Sequence, residues 1–150
     1  MDVNTYNYLN SIPLIPVDSI EVDIPMTPEG WWTYRNAFPI CSGIYIVRGK
    51  SPKPQQRVLR VGMAAGKKGI YGRWFLSQSA HYYVWLHTHP KNRSYQQFYD
   101  GCAAKYPMIQ LQFLLYPNIE APVLRNIERF LIQLLCPVWE NKTQRMLFKE

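Results

Sequence analysis

Residues 43–64, GIYIVRGKSPKPQQRVLRVGMA, decide the fold. GIYIVR (43–48) and RVLRVGMA (57–64) are both rich in β-branched residues, and the breaker run GKSPKPQQ separates them. Two such runs joined by such a loop read as an antiparallel hairpin. Downstream, the loop AAGKKG leads into a helix expected from about Tyr71 to Trp85. The next segment, LHTHPKNRSYQQFYDGCAAKYP, reads as a loop around Pro90 and a short helix from Ser94 to Lys105. MIQLQFLLY (108–116) alternates and then turns continuously apolar, as a central strand does. Upstream, residues 1–30 are rich in Pro and Ile without clean periodicity and read as an extended arm or short edge strand. Thr27, Pro28 and Glu29 then open a short helix running through Trp31, Trp32 and Arg35. The order predicts a small α+β domain: a three-stranded antiparallel sheet flanked by helices. An arm spans residues 1–40, and a body spans 41–150 with an aromatic insert at about 82–106.

The last helix carries an anomaly. In APVLRNIERFLIQLLC (121–136), Leu124, Ile127, Leu131, Leu134 and Leu135 recur at helical spacing, with Pro122 at the start and Pro137 beyond the end. Glu128 falls within that apolar stripe, while Arg125 and Arg129 are expected to point away. A carboxylate facing a core must be satisfied by a metal ion, an arginine or a water network, because leaving it unpaired costs several kcal/mol. A structural ion pair is the alternative to a functional site.

Charge points to a polyanionic partner. The chain of 150 residues carries a net charge of +7, but residues 1–34 hold five acids and no Lys or Arg, so the rest carries +12. Between Glu29 and Asp100 there is no carboxylate and there are eleven Lys or Arg residues. Nucleic acid is the natural partner of such a body, since each neutralised phosphate releases counterion. Cys41, Cys102 and Cys136 have neither CxxC nor zinc-finger spacing and read as buried or free thiols of a cytoplasmic protein. No apolar run has the length of a membrane span.

With Gly43-Ile44-Tyr45 heading the first strand and Arg60-Val61-Gly62 on the second, the chain resembles the GIY-YIG nucleases. Arg73, opening the next helix, matches that family's catalytic arginine, and Glu128 its metal-binding glutamate. Asn141, following Pro137, stands near the family's terminal asparagine. Two positions depart from the pattern. Arg60 replaces a customary tyrosine, and Ser77 stands where many members carry histidine.

The resemblance implies a metal-dependent DNA endonuclease in which water attacks phosphorus directly, with one Mg²⁺ or Mn²⁺ held by Glu128. Tyr45 would be general base or water-positioner, with Tyr71 supplying the hydroxyl absent at position 60. Arg73 would grip the scissile phosphate, a task suited to a guanidinium. Arg60, Lys67, Lys68, Ser77 and His81 are expected to contact substrate. His81, His87 and His89 lack carboxylate neighbours in sequence and read as DNA contacts or solvated side chains rather than a metal set. The aromatic insert has two readings, stacking against bases or packing. With no separate recognition domain, specificity would come from the insert, the arm or a homodimer. A small restriction endonuclease is the first expectation. A catalytically silent DNA-binding protein on the same fold, or a structure-selective nuclease on branched DNA or RNA, are the alternatives.

Overall fold

The computed structural model describes residues 15–50, 57–87 and 89–141. Its centre is an antiparallel sheet of β1 (Asp18–Pro25), β2 (Gly43–Gly49), β3 (Arg57–Ala64) and β4 (Met108–Leu115), in the order β1-β4-β2-β3. The helices are α1 (Pro28–Thr33), α2 (Gly69–Phe75), α3 (His81–Leu86), α4 (Arg93–Lys105) and α5 (Ala121–Leu135). The α+β class is as expected, but the sheet has four strands, not three. The arm supplies the extra one: β1 pairs with β4 from Asp18 opposite Leu115 to Pro25 opposite Met108. Ile20, Val22 and Ile24 turn inward while Ser19, Glu21 and Asp23 face solvent, an alternation that the flanking prolines obscure. Thr27 caps α1, its hydroxyl accepting from the Gly30 amide at 2.8 Å.

The expected helix from Tyr71 to Trp85 is two helices. α2 ends at Phe75, and the connection is pinned where Arg73 Nη1 donates to the Ser79 carbonyl at 3.0 Å and the Ala80 amide to the Ser77 carbonyl. Serines compete for backbone hydrogen bonds, and the break turns His81 into the core.

β2 is buried on both faces of the sheet. Tyr45 and Val47 join the larger core, with Ile24, Trp31, Trp74, Trp85, Phe98, Tyr99 and Phe113. Ile44 and Ile46 join a smaller one, with Val61, Tyr116, Leu124 and Ile127 under α5. The insert is therefore mostly packing. Trp85, Phe98 and Tyr99 are buried, and Trp31 lies 4.6 Å from Trp74 and 4.7 Å from Trp85 between ring centres. On the α5 side, towards β1, a polar ladder replaces apolar side chains. Arg48 donates to Gln112, Gln112 donates to Ser19, and Lys50 pairs with Asp23.

Candidate active site

β3 is the outer strand of the sheet, and a cleft of about 310 Å³ lies along its free edge. Tyr45, Arg60, Gly62, Arg73, Arg125, Glu128, Trp139 and Glu140 border it. A bulge builds this edge. The pairing slips between Val47 and Arg48, so that β3 passes over Leu59, and Leu59 and Arg60 both serve the face that Tyr45 occupies. Gly62 lies opposite Tyr45, and a Cβ there would collide with the phenol ring. The glycine makes room for the tyrosine. α2 adds Arg73, α5 adds Glu128, and the short turn Val138–Glu140 adds Trp139 and Glu140.

Glu128 is half-buried, and burial raises its carboxyl above the ordinary range. The Met63 backbone amide opposes that shift by hydrogen bonding, neighbouring Glu140 adds to it, and Arg125 and Arg60 counter it. Among the described residues it makes no ion pair. Arg125, expected to point away, is exposed yet borders the cleft. Among the described residues there is no cluster of three or more His, Cys, Asp or Glu side chains of the kind that forms an all-protein metal cage. One carboxylate with a second beside it instead suits a hydrated divalent cation that keeps most of its waters and takes phosphate oxygens as ligands.

Behind the cleft lies a polar chain inside the aromatic core. Tyr45 is 1% exposed and His81 2% exposed. The Tyr45 hydroxyl lies 2.8 Å from His81 Nε2, and His81 Nδ1 lies 2.5 Å from the Tyr99 hydroxyl. Arg60 Nη1 donates to the Tyr99 hydroxyl at 2.8 Å, and Arg60 also hydrogen-bonds Tyr45. Its guanidinium rests on the Trp139 ring, 3.9 Å from the centre. Burial, then the Arg60 and Arg73 charges, hold His81 well below the usual histidine range. The imidazole is therefore neutral at neutral pH.

The structure thus gathers Tyr45, Arg60, Arg73 and Glu128. Both ring nitrogens of His81 are engaged by phenols, so it offers no free nitrogen to a phosphate. Tyr71 does not border the cleft; its ring packs beside Phe75 at 5.4 Å. Lys67 and Lys68 flank an adjoining cleft of about 470 Å³ together with Arg73 and Arg125. Ser77 is exposed and bonded to Ser79 at 3.1 Å, away from the cleft. Asn141 is exposed immediately after the cleft-lining Glu140. His87 stacks on Tyr83 and His89 accepts from the Lys91 amide, each with its own local partner. Sequence reasoning missed Tyr99, Trp139 and Glu140. Tyr99 is 18 residues from His81 and 39 from Arg60, and nothing local marks such pairings.

No protein-family model, curated protein or solved structure matched the chain at a significant level. No helix among the described residues is long and apolar enough to cross a membrane.

Proposed function

We propose that this chain is a GIY-YIG-type endonuclease that hydrolyses phosphodiester bonds of DNA by direct attack of water. The observation that carries the reading is the meeting, at one strand edge, of a phenol, three guanidinium groups and a half-buried carboxylate that has no ion pair among the described residues. Phosphodiester hydrolysis needs a positioned water, a proton acceptor and positive charge where negative charge develops. Tyr45 faces the position for the water and takes its proton. Arg73, anchored by Ser79, binds the scissile phosphate, and Lys67, Lys68 and Arg125 continue the basic track for neighbouring phosphates. Glu128, with Glu140 beside it, would hold one Mg²⁺ or Mn²⁺, which would supply further positive charge to the phosphate. Arg60 acts less as a phosphate hook than as the clamp of Tyr45 and Tyr99.

The test is incubation of purified protein with plasmid and with branched DNA, in Mg²⁺, in Mn²⁺ and in chelator. Metal-dependent cutting is expected. Discrete plasmid fragments identify a restriction enzyme, and cutting confined to junctions a structure-selective nuclease. Intact DNA that shifts in a gel would overturn the enzyme reading in favour of a silent binding protein. DNA affinity should fall steeply with salt, by several phosphates' worth of counterion release, in a filter-binding titration.

A further inference from the structure

The geometry points to a one-way chain of hydrogen bonds, Arg60 to Tyr99 to His81 to Tyr45, that fixes His81 as the Nε2–H tautomer and turns the Tyr45 proton towards the cleft. Tyr99 sets the direction of the chain. Its hydroxyl is buried, and burial strongly favours the protonated phenol, so it keeps a hydrogen that needs an acceptor. Its partners among the described residues are Arg60 and His81. A guanidinium only donates, which leaves His81 Nδ1 as the acceptor. A neutral imidazole with an accepting Nδ1 carries its hydrogen on Nε2, and the atom 2.8 Å from Nε2 is the Tyr45 oxygen. Tyr45 thus receives two donors, His81 and Arg60, and its own hydrogen has the cleft to point into.

The opposite arrangement, with Tyr45 donating to Nε2 and Nδ1–H donating to Tyr99, would leave the Tyr99 hydrogen without a protein acceptor among the described residues, facing at best the small cavity that Tyr99 lines with His81 and Arg60. That costs about 1–3 kcal/mol.

The consequence rests on the reading of Tyr45 as the proton acceptor. The Tyr45 proton leaves through the cleft to solvent, and the oxygen, held by two donors, then takes one proton from the attacking water and becomes phenol again. The water oxygen forms its bond to phosphorus, the bond to the leaving oxygen breaks, and the leaving oxygen takes a proton from solvent in the cleft, which balances the one Tyr45 released. His81 keeps its Nε2 hydrogen throughout. It is a positioning residue, not a base, and Tyr99 is the residue that sets it.

The experiment reads the tautomer without turnover. In ¹⁵N-histidine-labelled full-length protein at neutral pH, long-range ¹H–¹⁵N correlation spectra distinguish Nδ1–H from Nε2–H imidazoles. The His81 signals need not be assigned through a buried substitution, because H87N and H89N alter only exposed rings and identify the third by elimination. The expected result is a protonated Nε2 and a bare Nδ1 on His81. A protonated Nδ1 overturns the inference. In Tyr99→Phe the His81 nitrogen shifts should move towards a tautomer mixture, with cleavage slowed about tenfold to a hundredfold at unchanged KM. A folded Tyr99→Phe with the wild-type tautomer and rate would overturn Tyr99 as the setting residue. If the wild type shows the Nε2–H tautomer but cuts no substrate, the nuclease reading fails and the hydrogen-bond chain stands.

Discussion

The two faces of the sheet are packed from different chemistry. The face under α5 is mainly aliphatic, built from Ile44, Ile46, Val61, Leu124 and Ile127 with Tyr116 among them. The face under α1 to α4 is aromatic, with Trp31, Phe38, Trp74, Phe75, Trp85, Phe98, Tyr99 and Phe113. Aliphatic side chains bury area and nothing else. Aromatic ones bury area and, as tyrosine or tryptophan, carry a polar atom into the interior along a rigid plate. This face can therefore hold Tyr45, His81 and Tyr99 in one hydrogen-bonded row behind the cleft, whereas the aliphatic face contributes only the helix that carries Glu128. One side holds the phenols, His81, Arg60 and Arg73, and the other supplies the carboxylate.

The largest effect should come from that charge. Glu128→Gln keeps the helix and the volume, and cleavage should fall by about 10²–10³ or more, while DNA binding in chelator survives or tightens. Wild-type cutting by this variant would end the metal assignment. Next, Ile127→Ala on the aliphatic face should cost about 2–5 kcal/mol in urea unfolding and leave the rate per folded molecule unchanged. Trp74→Phe on the aromatic face should cost less, about 1–3 kcal/mol, yet slow cleavage, because Trp74 packs against both Tyr45 and His81. If the two variants lose activity only in proportion to folded fraction, the division of labour between the faces is wrong.

The smallest effect is a pH slope. The folded state holds His81 below its unfolded value, so as pH falls the unfolded chain takes up the proton first. The stability that goes with neutral His81 is complete above about pH 6.5 and is lost as pH falls below it, with a slope of at most about 1.4 kcal/mol per pH unit. Arg60 and Arg73 are the charges facing the ring, and Tyr45 and Tyr99 its partners. His81→Asn should flatten the dependence of Tm on pH between 5 and 7, and an equal slope in both proteins would show that His81 is not buried neutral.

Local patterns made part of this legible. The strand bounds 57–64 and the helix through Glu128 follow from period-two and period-3.6 hydrophobicity, which act over a few residues. β1 is the short edge strand, one of the two readings of residues 1–30, but the surrounding prolines leave it undecided against an extended arm and out of the strand count. The break after Phe75 was not readable, because Ser77, Gln78 and Ser79 carry neither Gly nor Pro. At the site, Glu128 betrayed itself by being a charge in an apolar stripe. Tyr71 was a plausible hydroxyl by position, yet the chain takes it to Phe75, while Tyr99 arrives from the insert. Which phenol meets a buried histidine is decided by tertiary packing, and one-dimensional spacing carries no trace of it.

The strand order has a further consequence for how the molecule meets its partner. Asp18, Glu21 and Asp23 are exposed on β1 at one margin of the sheet, with Asp23 ion-paired to Lys50. Arg60, Arg73, Arg125, Lys67 and Lys68 gather at the opposite margin, beside β3. Among the described residues, these acids and these bases thus lie on opposite margins of the sheet. On the proposed nuclease reading, an approaching polyanion would be drawn to the β3 margin first, so that encounters would begin on the side of the cleft.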